Sequence, residues 1–180
     1  MTGIGKALDE PYAQPQQPVS RAMGYSSARL AQARPARVQH ASVAPAYRYR
    51  WADTYATLLA LKESEAELDP YDGIRLSYTH PLTGGATVST YACELQLLTP
   101  RLKTQTHRHH STTIYHVYRG AGATVVGDER LEWAQGDIFV VPPWWWHSHE
   151  NRSAEDAVLY SITDWPTMAA LDLYREEAAP

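Results

Sequence analysis

From Tyr71 onward the sequence runs with a period of two, and it is cut at short intervals by turn signals. Strand-like segments are Ile74–Thr79, Ala86–Leu98, Thr104–His109, Thr113–Arg119, Ala123–Val126, Arg130–Trp133, Ile138–Val141, His147–Glu150 and Ala157–Thr163. Between them stand PLTGG at 81–85, Gly127-Asp128 and Gly136-Asp137, residues that accept the backbone angles of tight turns. The Gly127-Asp128 pair, set between VV and ERLEW, reads as a two-residue hairpin. Short strands cannot bury a face singly, so many of them with frequent turns predict an all-β sandwich or barrel.

The flanks read differently. Residues 1–50 carry seven basic side chains (Lys6, Arg21, Arg29, Arg34, Arg37, Arg48, Arg50) against Asp9 and Glu10, and five of the 12 prolines. They are read as an extended basic arm or linker; contact with an acidic surface and a poorly ordered tail are both open readings. Trp51–Lys62 predicts a short amphipathic helix, with Trp51, Tyr55, Leu58 and Leu59 on one stripe, and residues 51–70 are this helix plus a connector ending at Pro70. Residues 71–180 form the barrel and a last helix, with Asp164 as cap, Pro166 in the first turn, and Met168 and Leu171 one turn apart.

Composition excludes several functions. A net charge of −4 leaves no nucleic-acid footprint, and no apolar run reaches membrane-spanning length. Cys93 is the only cysteine, so an internal disulfide is impossible and a cytoplasmic location is expected. Its setting in YACELQLL predicts a buried structural thiol.

The chemistry-bearing stretch is THRHHSTTIYHVYRG, 106–120. His107 and His109 are two apart on a strand, so both imidazoles face one side and can share a ligand sphere. GDIFVVPPWWWHSHEN, 136–151, offers His147 as a third. His110 reads as a surface neighbour, and His116 should face away from Thr113 and Tyr115. Trp144–Trp146 must split between two faces, two rings one way and one the other, packing a core or subunit interface or else forming a substrate-stacking wall.

These spacings resemble the two signature motifs of the cupin superfamily, double-stranded β-helix (jelly-roll) barrels. The first matches at His107, His109 and Gly120, the second at Gly136, Pro142, His147 and Asn151. Two positions depart: Arg101 stands where a glycine is expected, and Thr113 where the motif has a glutamate ligand. Three neutral imidazoles leave a divalent ion its full charge and open positions for an anionic chelating ligand, and imidazole donors suit iron, nickel, copper or zinc.

The runs DPYDGIRLSYTHPLTGG, LQLLTP and LYREE narrow the likeness. With both motifs they resemble gentisate 1,2-dioxygenases and the related salicylate and 1-hydroxy-2-naphthoate dioxygenases, specifically the C-terminal half of a two-cupin protein. PQQPVSR and RYRWADTYATLLAL resemble the segment joining the halves. The resemblance implies Fe(II) held by His107, His109 and His147. It further implies cleavage of a small aromatic hydroxy acid by dioxygen to a ring-opened, pyruvate-type product, with His149 and Gln96 at catalytic positions. Tyr115 stands where the catalytic half of those enzymes has a carboxylate-gripping arginine, and Ala92 where it has a wall tryptophan. Arg101 and Arg119 are candidate substitutes. His149 also has a plain reading as a polar strand residue.

Three functions are therefore carried forward. The first is an Fe(II) ring-cleaving dioxygenase, acting as a single cupin, as a homo-oligomer, or with a partner N-terminal cupin subunit. The second is a non-catalytic cupin subunit of such an enzyme. The third is a metal-binding cupin isomerase or sensor.

Overall fold

Every alternating segment contains a strand, and the strands gather into two antiparallel five-stranded sheets. The computed structural model describes residues 46–64 and 69–180, so the expected arm lies, up to residue 45, outside the described residues. In chain order the elements are α1 (Trp51–Glu63), β1 (Ile74–Tyr78), β2 (Ala92–Leu98), β3 (His107–His109), β4 (Thr113–Arg119) and β5 (Ala121–Val126). They continue as β6 (Glu129–Ala134), β7 (Ile138–Val141), β8 (His147–Glu150), β9 (Ala157–Thr163), α2 (Trp165–Ala170) and β10 (Glu176–Ala178). Sheet I has the order β1-β2-β9-β4-β7, and sheet II the order β10-β3-β8-β5-β6. Neighbours in a sheet are seldom neighbours in sequence, the crossing pattern of a jelly roll.

Between the sheets pack Leu98, Tyr115, Val117, Val126, Trp133, Phe139, Val141, Ala157 and Leu159. A second cluster lies on the opposite side of sheet I, where Leu58 of α1 meets Ile74, Leu95, Leu97 and Val158. The expected stripe of α1 is realised at Leu58 and, half-buried, at Tyr55 and Leu59, while Trp51 is exposed and stacks on Tyr55. Thr54 is the other buried residue of the helix.

The signature residues divide by task. Asn151 is a lock: its amide donates to the carbonyls of Leu98 (2.9 Å) and Glu155 (2.7 Å), and its Oδ1 accepts from the Ser153 amide and hydroxyl. Gly120 has φ +87°, and a Cβ there would lie 2.9 Å from the Cα of Ala157, so the turn needs both its handedness and its emptiness. The Gly127-Asp128 hairpin joins β5 to β6 with Val126 opposite Glu129.

Several sequence expectations are corrected. The strand expected over Ala86–Leu98 starts only at Ala92. The Val88 amide donates to the Tyr91 carbonyl, and the Thr87 hydroxyl takes the Cys93 amide, so this stretch folds on itself. The strand expected from Thr104 starts at His107, because the amides of Thr104 and Gln105 donate to the carbonyls of His149 and Pro70. Cys93 is half-buried on the outward face of β2, opposite Tyr78 and Ile162. Asp164 precedes α2, but its carboxylate accepts from the Thr112 amide instead of capping the helix, and Leu171 is exposed. The tryptophans sit in a turn, with Trp144 at φ +65°. Trp144 and Trp146 flank the Arg108 guanidinium at 4.4 and 4.2 Å, while Trp145 is exposed. The three residues of β10, all exposed, carry no apolar alternation, and no strand is expected there from the sequence.

Candidate metal centre

Strand pairing brings the histidines together. On β3, His107 and His109 point inward and are buried, whereas Arg108 between them points out. His147 on β8 lies directly opposite His107. One ring nitrogen from each of His107, His109 and His147 can be chosen so that all lie within 4.8 Å of one another. The ring centroids are 4.3 Å apart for His107 and His147, and 4.9 Å for His109 and His147.

The hydrogen bonds set the tautomers. His109 Nδ1 meets the Ser111 carbonyl at 2.9 Å, and His147 Nδ1 meets the Trp145 carbonyl at 3.0 Å. A carbonyl only accepts, so both rings donate from Nδ1 and keep a lone pair on Nε2. Backbone carbonyls commonly hold metal-ligating imidazoles in this way. Burial lowers the pKa of His107 to about 4 and that of His147 to about 2, with the neighbouring rings adding to the effect, and burial also lowers His109. All three are neutral at pH 7, the ligating form. Among the described residues His147 Nε2, His107 Nδ1 and His149 Nε2 are buried without a hydrogen-bond partner, a costly state that a cation at the three-histidine group removes for His147 Nε2. The donor set therefore fits a divalent transition metal.

His149 is of a different kind. Its Nδ1 lies 2.9 Å from the Thr124 hydroxyl, which also accepts the Trp133 indole N–H at 2.9 Å. With the one proton of that hydroxyl directed at Nδ1, the neutral imidazole carries its hydrogen on Nε2. The ring is fully buried, edge-on to Tyr115 at 5.0 Å, and is absent from the cavity lining; burial lowers its pKa to about 3.

His107 and His109, but not His147, line a cavity of about 310 Å³. Its far wall is the inner face of sheet I, where strand register lines up polar rows. Ser77, Glu94, Ser161 and Tyr115 stand abreast on four strands, Thr163 stands beside Thr113, and Arg75 beside Gln96. Gln96 and Tyr115, both expected at the site, line this wall. His116 faces away, as β4 alternates. His110 binds the Leu173 carbonyl outside. Arg101 and Arg119 do not line the cavity: Arg101 is exposed at φ +65°, and Arg119 bonds the Tyr55 hydroxyl.

The cavity's arginine is Arg75, unforeseen from sequence, together with Asp72, Glu94, Tyr174 and Glu176. Arg75 Nη1 lies 2.6 Å from Asp72 Oδ2, and its Nε lies 4.0 Å from Glu94. Asp72 also accepts from the Gln96 amide at 3.3 Å. Burial raises the Asp72 pKa to about 6 even though Arg75 pulls it down. A signal for this wall was present: Arg75-x-Ser77 and Glu94-x-Gln96 put polar residues on one face of otherwise apolar strands.

The sequence family described as a cupin domain matches residues 94–163. Residues 94–163 are thus a cupin domain within the two-sheet barrel. The chain is 47% identical over 134 residues to a 5-aminosalicylate 1,2-dioxygenase from Comamonas sp., covering 74% of the chain and 36% of that protein. It is 36% identical over 172 residues to a gentisate 1,2-dioxygenase from Haloferax sp., covering 89% of the chain and 47% of that protein. Among solved structures it matches salicylate 1,2-dioxygenase from Pseudoaminobacter salicylatoxidans, described as adducts with gentisate. The TM-score there is 0.66 at 31% identity, over 72% of the chain and 36% of that chain. The chain thus spans between about a third and a half of the length of these relatives.

Proposed function

We propose that this cupin is a non-haem Fe(II) centre for cleaving the ring of a small aromatic hydroxy acid of the gentisate or salicylate class with dioxygen. One observation carries the reading: three buried neutral imidazoles converge, two of them (His107 and His109) lining an open cavity, in a chain 47% identical over 134 residues to an aminosalicylate dioxygenase. His107, His109 and His147 would hold the iron, and iron bound there supplies the redox chemistry that lets dioxygen react with an aromatic ring.

The remaining roles belong to the chain's own groups. A neutral donor set adds no negative charge, which favours an anionic ligand at the open side of the centre. Tyr115 and Gln96 present a hydroxyl and an amide to that ligand; burial raises the Tyr115 pKa well above the ordinary value, so the phenol is a hydrogen-bond donor and not an anion. His149, behind Tyr115, keeps a proton on Nε2 and fixes the Tyr115 ring from its edge. Assembly with a partner N-terminal cupin subunit, or with another copy of this chain, is part of this reading. The basic residues of 1–50 would form the contact. The lone cysteine supports a cytoplasmic location.

A second reading is favoured by the cavity wall. Its one arginine is already paired with Asp72, and three carboxylates (Asp72, Glu94, Glu176) surround it. Such a wall grips a substrate carboxylate weakly, as a metal-binding subunit that leaves ring cleavage to its partner would.

The test is to load the chain with Fe(II) anaerobically and follow dioxygen uptake with gentisate, salicylate, 5-aminosalicylate and 1-hydroxy-2-naphthoate. Uptake with at least one acid, falling by about 100-fold or more in His147→Ala, is expected. Stoichiometric iron without uptake favours the subunit reading, and uptake that survives His147→Ala contradicts the assignment.

A further inference from the structure

The cupin motif places a glutamate near its histidines, and here that position is Thr113, buried in the cavity wall. A carboxylate nevertheless faces the histidines from another direction. Strand β10 pairs antiparallel with β3, with Glu176 opposite His109, Glu177 opposite Arg108, and Ala178 opposite His107. Directly opposed residues in a sheet share a face. Glu177 follows Arg108 outward and binds it at 2.6 Å. Glu176 therefore follows His109 inward, and it lines the cavity with His107, His109 and Arg75. The Tyr174 hydroxyl donates to Glu176 Oε2 at 3.1 Å, and Oε1 has no hydrogen bond among the described residues. Glu176 does not join the tight three-histidine group, so it stands outside direct ligation distance.

Resting on the reading of the histidines as a metal centre, we propose that Glu176 replaces the missing motif glutamate as an outer-sphere carboxylate. It accepts a hydrogen bond from water, or from a substrate hydroxyl, held by the ion, and it supplies the negative charge that three neutral imidazoles lack. Two features make this arrangement workable. The carboxylate comes from a separate strand, so its oxygen can meet a bound water without competing for a coordination position. Tyr174 fixes one oxygen and leaves the other without a hydrogen bond among the described residues, on a residue that lines the cavity. Outer partners of this kind strengthen metal binding by orienting and polarising what the ion holds.

The experiment is calorimetric titration of the full-length apo chain with Co(II) at pH 7, with visible absorption of the bound ion recorded alongside. Glu176→Gln is expected to weaken Co(II) binding by about 10-fold or more. The d–d bands should keep their intensity, because the set of direct ligands is unchanged. Glu177→Gln, which removes the outward carboxylate, is expected to bind as the wild type does. Tyr174→Phe frees the orienting contact without touching the charge and should weaken binding by a smaller factor, which covers the case in which Glu176→Gln perturbs β10. Equal affinity in wild type and Glu176→Gln overturns the proposal while leaving the histidine centre intact. A changed band intensity in Glu176→Gln also overturns it, in favour of direct ligation. A wild type that binds no Co(II) removes both this proposal and the metal centre beneath it.

Discussion

Arg101 occupies a left-handed backbone position, φ +65°, that the cupin motif fills with glycine. An L side chain there pays a steric penalty of about 1–2 kcal/mol against its own backbone. Arg101→Gly is therefore expected to stabilise the protein by about 1 kcal/mol, less what the freer unfolded chain takes back. The urea midpoint should rise; a fall would show that the arginine makes compensating contacts. At this scale the histidines were legible and the cavity wall was not. An HxH pair on a strand declares a shared face through spacing alone. Arg75, Asp72, Glu94 and Glu176 come from separate parts of the chain, and only strand register across five-stranded sheets brings them to one cavity. The tryptophan triplet splits two rings against one as expected, but from a turn: positive φ at Trp144 takes the run off any strand, and nothing in the residue type announces it.

Among elements, alternation and turn residues made β1 and β3 through β9 readable to within a few residues, because a face buried against another sheet must be apolar at every second position. Where backbone hydrogen bonds go elsewhere, as at Thr104 and Gln105, the pattern overshoots the strand. β10 was invisible because its side chains are all exposed, and only its pairing with β3 makes it a strand. Helix α1 is tied down by few buried groups, of which Leu58, with no exposed surface, is the centre of the outer cluster. Leu58→Ala should cost about 2–5 kcal/mol through lost burial and the cavity left behind. Chemical denaturation measures it. A loss below about 0.5 kcal/mol, the level of ordinary surface substitutions, would mean that α1 does not hold to sheet I.

At the scale of the molecule, a metal-free chain keeps several imidazoles neutral in its interior. His107, His147 and His149 have folded pKa values lowered to about 4, 2 and 3, while an unfolded histidine titrates near 6.5. As pH falls below 6.5 the unfolded chain takes up protons that the folded chain refuses, so stability is full above that pH and lost below it. Asp72 acts in the opposite sense. Its folded pKa is raised to about 6, so its contribution is present at low pH and lost as pH rises through 6. Three histidines against one aspartate leave a net loss of roughly 3 kcal/mol per pH unit between pH 6 and 5. Denaturation curves of the apo chain at these two pH values should show it, and equal midpoints would contradict buried neutral imidazoles.

Whether His107, His109 and His147 act as one metal centre is read from metal content after anaerobic Fe(II) loading and desalting, with folding of each variant checked by circular dichroism. The wild type is predicted to retain about one iron per chain, and His109→Ala and His147→Ala to retain less than about a tenth of that. A folded wild type that retains no iron, or folded variants that retain as much as the wild type, would contradict the account.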